Sequence, residues 1–336
     1  MLTFTIRRLV LAIPTLLFIS LAIFLLLELA PGDPMAQVPL TVPPEVKEKM
    51  REALGLGQPV HIRFVKWLYQ FFVIEPAIFV DTLFGTTWAE GEQRVISWQT
   101  RSPVMEIVVQ RLPQTLTVVG LAYVVGVLIA LPIGIYSAYK QYSVFDQAGT
   151  FISMVGFSVP PFFSGVLVIV IFSVQLGWFP SIYDTTLKVN SWDTFWLQVR
   201  QMVMPVMVLA LQTTAQISRF MRASMLDNLN QDYVRTARAK GLSEATVVMV
   251  HVLRNSMIPV ITVIALGVPS IFGGAIITEQ VFKVNGIGQL LITAIEANDL
   301  PMVHTLTFIF AVLIVTFNLI ADVLYGVLDP RIRYAK

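Results

Sequence analysis

The stretch Asp-Tyr-Val-Arg-Thr-Ala-Arg-Ala-Lys-Gly-Leu, residues 232–242, lies at the centre of a polar segment, 224–258, that separates two long hydrophobic runs. Leu229, Tyr233 and Ala237 recur here at helical spacing, which predicts a short helix with one apolar stripe. Because the segment lies outside the hydrophobic runs, this stripe has no bilayer to face. Such a stripe usually lies in the groove of a partner, so the stretch predicts a docking loop of a membrane protein.

Capping residues give this loop two short helices. Asp232 is a suitable N-cap for the first helix, and Gly241 stands where a left-handed C-terminal cap is expected. Ser243 can cap a second helix that begins at Glu244. The alternative is a plain basic loop that only fixes membrane orientation, which is common between membrane spans.

The composition is that of a membrane protein. Of the 336 residues, 56% are hydrophobic and 13% are charged, whereas about 25% are charged in a typical soluble domain. The net charge of +2 is too small to indicate nucleic-acid binding, and no basic-aromatic stripe supports it. The absence of cysteine excludes disulfides, thiolate chemistry and cysteine metal sites.

Hydrophobic runs predict an all-α polytopic membrane protein with six transmembrane helices. The first run is too long, and its end too poor a cleavage site, for a signal peptide. The predicted spans cover about 9–30, 115–139, 147–176, 201–220, 259–281 and 304–328. The predicted domains are an N-terminal transmembrane helix (1–30), an extracytoplasmic subdomain (31–112) and a five-helix core (113–336) that includes the 224–258 loop.

The segment 35–112 carries charges of both signs and aromatic residues with amphipathic spacing. It is too long for a simple connection and too polar to cross a membrane. We therefore expect it to lie against the membrane on the extracytoplasmic side.

Several residues within the predicted spans indicate a translocation path. Pro160 and Pro161 break helical hydrogen bonds, which is tolerated where protein or a water-filled cavity satisfies the freed carbonyls; a plain kink is the alternative. Gln212 and Gln216 should face other helices or a cavity rather than lipid. The small residues Gly267, Gly273 and Gly274 allow close helix contact.

The distribution of basic residues predicts that both termini are cytoplasmic. Six spans return the C-terminus to the side of the N-terminus. The short outer loops then hold only Lys188, Arg200 and Lys283, and the inner side holds Arg7, Arg8, Lys140, Arg219, Arg222, Arg235, Arg238, Lys240, Arg254, Arg331, Arg333 and Lys336.

Catalytic and nucleotide-binding motifs are absent from the sequence. No Gly-x-x-x-x-Gly-Lys-Ser/Thr occurs, so the chain is not expected to hold ATP itself. His61, His251 and His304 lie far apart without a zinc signature. We expect His251 to serve docking or packing rather than catalysis.

The stretch 232–242, followed by His251, Arg254-Asn255 and Pro259, resembles the coupling-helix motif of permeases of ATP-binding-cassette importers. The resemblance is to the dipeptide/oligopeptide/nickel family and covers nearly the whole chain. The end of the first span (Pro31-Gly32-Asp33-Pro34) and the C-terminal Leu328-Asp329-Pro330-Arg331-Ile332-Arg333 are similar to that family too. Thr236 stands where the broader superfamily carries Glu.

The resemblance implies that this loop docks on a cytoplasmic ATPase and that the fifth span lines the translocation path. Glu279 matches a recurrent acid at the outer end of that span; a helix-end carboxylate reaching water is the alternative. The implied docking residues are Asp232, Tyr233, Arg235, Thr236, Ala237, Arg238, Ala239, Lys240, Gly241 and Leu242. The candidate path residues are Pro160, Pro161, Gln212, Gln216, Gly273, Gly274 and Glu279.

The implied partners are a second permease, two ATPases that bind ATP and Mg²⁺, an extracytoplasmic solute-binding protein and membrane lipid. Peptides are the expected cargo, with nickel chelates, opines and oligosaccharides as alternatives within the family. A secondary transporter, the rival of another class, would need an ion relay, for which Glu279 and Asp322 are the candidates. An intramembrane enzyme would need a catalytic dyad, and none is recognisable.

Overall fold

The computed structural model describes residues 2–29, 43–53 and 57–328, and the secondary structure of this part of the chain is helical. The all-α prediction is therefore confirmed. The helices are α1 (Leu2–Glu28), α2 (Pro44–Ala53), α3 (Val60–Tyr69), α4 (Glu75–Phe84), α5 (Val104–Tyr139), α6 (Val144–Ser158), α7 (Pro161–Val168), α8 (Trp192–Leu229), α9 (Asp232–Ala239), α10 (Glu244–Thr246), α11 (Leu253–Phe282), α12 (Ile287–Glu296) and α13 (Leu300–Leu328).

Three π-helical segments extend these helices. Gln70–Ile74 joins α3 to α4, Ile169–Gln175 extends α7, and Val247–Val252 joins α10 to α11. Helices α3 and α4 therefore form one continuous helix, and so do α10 and α11. Each continuous helix is longer than either of the α-helices that it joins.

Six helices in the described residues are long and apolar enough to cross a membrane, and a bent pair, Val144–Ser158 with Pro161–Gln175, would make a seventh. Five of the six correspond to predicted spans, and the bent pair corresponds to the predicted third span. The six are Thr5–Glu28, Val60–Phe84, Val104–Tyr139, Trp192–Leu229, Glu244–Pro269 and Leu300–Val323.

The predicted third span is bent by 108° between Ser158 and Pro161. Val159 and Pro160 each precede a proline, which disfavours the helical region for both, and their ψ angles are 125° and 143°. Pro161 then begins α7 at the first helical position, where a proline needs no hydrogen-bond donor. A bend this large is a break between two helices, so the alternative of a plain kink is wrong.

The helix Val60–Phe84 differs from the expectation that its surroundings are too polar to cross a membrane. The charges that made the segment polar lie mainly in α2 and in residues 85–106, and an apolar helix lies between them. The extracytoplasmic subdomain 31–112 stays a prediction.

The described chain divides into two compact units. Of the described residues, unit 1 contains 2–10, 114–289 and 313–328, and unit 2 contains 11–29, 43–53, 57–113 and 290–312. The sequence motif at 31–34 lies outside the described residues, and so does the C-terminal motif after Leu328.

In unit 1, α8 packs closely against α5 because glycine faces it at two positions. A Cβ added to Gly134 would lie 2.6 Å from Met221 Cβ, and one added to Gly126 would lie 2.8 Å from Thr213 Cβ. Helix α6 also contacts α8, and Asp146 fastens the two helices. Its buried carboxylate accepts hydrogen bonds from Arg222 at 2.6 and 2.7 Å.

In unit 2, the buried Asp299 carboxylate caps α13 and holds the loop before α5. Its Oδ1 accepts hydrogen bonds from the backbone N–H groups of Trp98 and Met302 at 3.0 and 3.3 Å. Its Oδ2 accepts from the Gln99 N–H at 3.2 Å and from the Ser97 hydroxyl. One carboxylate therefore satisfies donors of a loop and of a helix start, as expected for a buried capping group.

Candidate functional site

Helix α9 begins one residue earlier than the capping pattern predicts. Gln231 is the N-cap residue, with an extended backbone and no side-chain capping bond, and Asp232 is the first helical residue. The prediction of Asp232 as the N-cap is therefore wrong. Its carboxylate still lies in the first turn, where negative charge is favoured by the helix dipole.

The end of α9 is a glycine cap, as the sequence predicts. Gly241 has φ +79°, and its N–H donates to the Arg238 carbonyl at 2.9 Å. The Leu242 N–H donates to the Ala237 carbonyl at 3.4 Å. These two bonds form a Schellman motif, which needs a left-handed residue at the glycine position.

The apolar side of α9 is packed inside unit 1. Val234 and Ala237 are buried, Leu229 and Tyr233 are partly buried, and all four pack in one cluster with the Val247–Val252 segment and α8. The Tyr233 hydroxyl donates to Asn228 Oδ1 at 2.7 Å. The expectation that the Leu229–Tyr233–Ala237 stripe faces a partner's groove is therefore wrong: the stripe fixes α9 to its own chain.

The opposite side of α9 is exposed and polar. Asp232 and Arg235 form an i,i+3 ion pair with an N–O distance of 3.5 Å, and both side chains are largely in solvent. The Leu242 side chain is 40% exposed beyond the glycine. The exposed residues of the segment are Asp232, Arg235, Thr236, Arg238, Ala239, Lys240, Gly241 and Leu242. We call this set the polar face of α9.

An ion pair and a cap tie α9 to the helix that follows. Arg238 donates to the two Glu244 carboxylate oxygens at 3.1 and 2.6 Å. The pKa of Arg238 lies above its ordinary value because Glu244 accepts these hydrogen bonds. The Ser243 hydroxyl accepts from the Thr246 N–H at 3.3 Å, which confirms Ser243 as the cap of α10. The C-terminal end of α9 is thus connected to α10.

Unit 1 also encloses a cavity of about 390 Å³ that brings Gln212 and Gln216 together. Tyr123, Thr213 and Phe157 also line it. The sequence patterns missed Tyr123 because its neighbours come from distant parts of the chain. Its hydroxyl donates to the Ile264 carbonyl of α11, which fixes the ring at the cavity wall.

The structure gives the other candidate path residues their positions along the helices. Pro160 and Pro161 lie at the α6–α7 break, and Gly273 and Gly274 lie within α11. Their assignment to the path stays a prediction.

Glu279 is buried, with 1% of its surface exposed. Thr115 donates to its Oε1 at 2.6 Å, and the Gln289 N–H donates to its Oε2 at 3.0 Å. A Cβ on Gly286 would overlap this carboxylate. Glu279 therefore caps the start of α12, and the alternative of a carboxylate that reaches water is wrong.

Comparison with known proteins identifies the chain. Residues 130–334 match the family of binding-protein-dependent transport system inner membrane components, and residues 1–119 match the N-terminal part of such membrane components. The chain belongs to this family. It is a permease subunit of an ATP-binding-cassette importer and a multi-pass membrane protein, not an enzyme.

Two curated relatives align with the permease from end to end. The oligopeptide transport system permease protein AppB of Bacillus subtilis (strain 168) is 38% identical, over 99% of this chain and 100% of the relative. The glutathione transport system permease protein GsiC of Salmonella choleraesuis (strain SC-B67) is 36% identical, also over 99% of this chain and 100% of the relative.

A solved structure has the same fold over most of the permease. A chain of the MetNI methionine ABC transporter, from a study of its inward-facing conformations, aligns with a TM-score of 0.54 and 17% identity. The match covers 68% of this chain and 99% of that chain.

Proposed function

We propose that the permease imports dipeptides or oligopeptides and that ATP hydrolysis on two separate ATPase subunits, with Mg²⁺, drives it. A second, similar permease and an extracytoplasmic solute-binding protein complete the assembly. The names of the two relatives support the cargo, since one transports oligopeptides and glutathione is itself a tripeptide. Nickel chelates, opines and oligosaccharides are the alternative cargoes.

The polar face of α9 is the observation that carries the ATPase-docking proposal. The buried Val234 and Ala237 fix one side of the helix, while the charged and hydroxyl side chains on the other side are exposed to solvent. The bidentate Arg238–Glu244 pair connects the helix to the residues that lead into α11. We therefore expect a movement of this face to be transmitted to α8 and α11, because these contacts hold the loop against both helices.

The cavity lined by Gln212 and Gln216 is proposed as part of the peptide path. Each glutamine amide offers two donor hydrogens and an acceptor oxygen. These are the partners that a peptide backbone needs, and they are independent of the peptide's side chains. A permease that accepts many peptide sequences requires such sequence-independent contacts.

The polar face must be cytoplasmic for this function, and the number of membrane crossings decides its side. If the N-terminus is cytoplasmic, the face is cytoplasmic when only one of two segments crosses: the helix Val60–Phe84 or the bent pair Val144–Gln175.

Since the permease has no cysteine, single cysteines at Lys240, Lys140 and Ser191 can be labelled with a membrane-impermeant maleimide in whole cells. Labelling of Lys240→Cys without cell lysis would overturn the orientation.

Transport assays in proteoliposomes test the energy source. The complete assembly should take up a radiolabelled peptide only when ATP is supplied to the ATPases, and a proton gradient alone should drive no uptake. Uptake without ATPase subunits would establish the secondary transporter instead. In that rival, Glu279 and Asp322 would carry ions, but Asp322 pairs with Arg8 at 2.6 Å and Glu279 caps α12.

A substrate series tests the cargo and the path. We expect peptide uptake by the double variant Gln212→Leu and Gln216→Leu to fall by about two- to tenfold for each hydrogen bond to the peptide that is lost. Gln175→Leu is the control, because Gln175 is exposed outside the cavity. Competition by a nickel chelate or an oligosaccharide, but not by peptides, would overturn the peptide assignment. An unchanged double variant would overturn the role of the cavity.

A further inference from the structure

Unit 2 contains a second cavity, of about 550 Å³. It lies where three apolar helices end. Its lining includes Glu28, the last residue of α1, Leu300, the first residue of α13, and Arg63 and Lys66 near the start of α3. These helices are long and apolar enough to cross a membrane, so the cavity lies at the level where lipid headgroups are expected.

The floor of this cavity is aromatic. Phe24, Trp67 and His304 line it, with ring centroids 5.2 Å apart for Phe24 and His304 and 3.9 Å apart for Trp67 and His304. Trp67 is fixed by a hydrogen bond from its indole N–H to the Thr305 hydroxyl, at 3.2 Å. Rings packed in this way leave a rigid apolar surface that can cover the first methylenes of an acyl chain.

The rim of the cavity carries charges of both signs, and most of them are already paired. Arg63 forms an ion pair with Glu28, and Arg94 pairs with the carboxylates of Glu75 and Glu106. These pairs neutralise the two guanidinium groups.

Two opposite charges remain. The Lys66 ammonium and the Glu92 carboxylate both line the cavity, and neither has an ion-pair partner in the described part of the chain. Both side chains are exposed, so they are available to a ligand. A cation and an anion over an apolar floor complement a molecule that has an anion, a cation and a hydrocarbon chain.

We propose that this cavity binds a zwitterionic membrane phospholipid with a primary ammonium headgroup. Lys66 faces the lipid phosphate, Glu92 accepts hydrogen bonds from the lipid ammonium, and the aromatic floor covers the start of an acyl chain. The volume is within the range of about 300–1,000 Å³ that is usual for ligand pockets. A quaternary ammonium has no N–H to donate to Glu92, and a headgroup without an amine has no cation.

Lipid titration of the purified full-length permease, followed by native mass spectrometry, tests the proposal. The probes are phosphatidylethanolamine, phosphatidylcholine and phosphatidylglycerol with identical acyl chains, and soluble phosphoethanolamine. We expect phosphatidylethanolamine to bind most tightly. Lys66→Gln and Glu92→Gln should each lower its affinity by about fivefold, which is the upper end for an exposed ion pair.

Lys49→Gln and Glu90→Gln are the matched controls, because both residues are exposed in unit 2 and do not line the cavity. They should bind lipid like the unchanged permease. Soluble phosphoethanolamine that binds as tightly as the lipid would identify a headgroup site without a lipid function and would overturn the proposal. Equal affinity for the three lipids, or unchanged affinity in Lys66→Gln and Glu92→Gln, would also overturn it.

Discussion

Replacement of Gly241 by valine tests whether the cap of α9 carries the coupling. Gly241 has φ +79°, and a Cβ added there would meet no atom within 4 Å. The substitution therefore adds no collision, and its cost is that of a left-handed backbone for an L-residue, about 1–2 kcal/mol. That cost shifts the equilibrium between the capped and uncapped loop by about five- to thirtyfold.

The assay compares peptide uptake with ATP hydrolysis in the same proteoliposomes. We expect Gly241→Val to lower uptake per ATP by about fivefold or more, while insertion into the membrane and basal hydrolysis by the ATPases remain. Gly241→Asn should retain most of the coupling, because asparagine adopts the left-handed conformation more readily than other residues with a side chain.

Gly85→Val is the matched control for this experiment. Gly85 caps α4 with φ +68°, and an added Cβ would also meet no atom within 4 Å. The strain is the same, but it lies outside the polar face, so Gly85→Val should keep its coupling. Normal uptake per ATP in Gly241→Val, or an equal loss in Gly85→Val, would refute the reasoning.

Three further substitutions test the packing of unit 1, each followed by the thermal midpoint of the detergent-solubilised permease. Gly134→Val places a side chain against α8 where an added Cβ already lies within 2.6 Å of a neighbouring atom, so we expect a loss of about 1–3 kcal/mol. Gly286→Ala forces a methyl group against the buried Glu279 carboxylate, and a loss of similar size is expected. Asp146→Asn removes the charge that pairs with Arg222 at 2.6 Å, which should cost about 2 kcal/mol.

Three substitutions at open or exposed positions are the controls for this set. An added Cβ meets nothing within 4 Å at Gly120 and at Gly57, and Asp193 is exposed in the first turn of α8. Gly120→Val, Gly57→Ala and Asp193→Asn should therefore leave the thermal midpoint nearly unchanged. A test variant that is as stable as its control would show that the corresponding contact does not hold the unit together.

Local patterns in the sequence predicted the ends of the short helices well, because their causes are local. Gly241 and Ser243 adopt the capping roles that their neighbours in the chain require. The N-cap prediction at Asp232 was wrong by one residue because a carboxylate is favourable both at the cap and in the first turn. The local pattern therefore does not separate these two positions.

Features that depend on distant contacts could not be read from the sequence. The periodicity of Leu229, Tyr233 and Ala237 shows that one side of the helix is apolar, but not which protein covers it. The apolar side of α9 is covered by the same chain, through the Val247–Val252 segment and α8. Likewise, the burial of Glu279 depends on Thr115, which lies 164 residues away.

The tandem prolines predicted a break but not its size. Proline chemistry forces Val159 and Pro160 out of the helical conformation, and the direction of the chain afterwards is set by what α7 packs against. Contacts of α7 with α8 and α11 fix the 108° angle. Sequence spacing contains no information on those contacts.

The separation of anchoring and exposed side chains on α9 has a consequence for engineering. Val234 and Ala237 are the buried residues of this helix. The exposed residues can therefore be exchanged without disturbing the packing that holds α9 in place. Replacing Arg235, Thr236 and Lys240 with the corresponding residues of a relative should thus yield a permease that binds the relative's ATPase. That permease should still transport its own cargo.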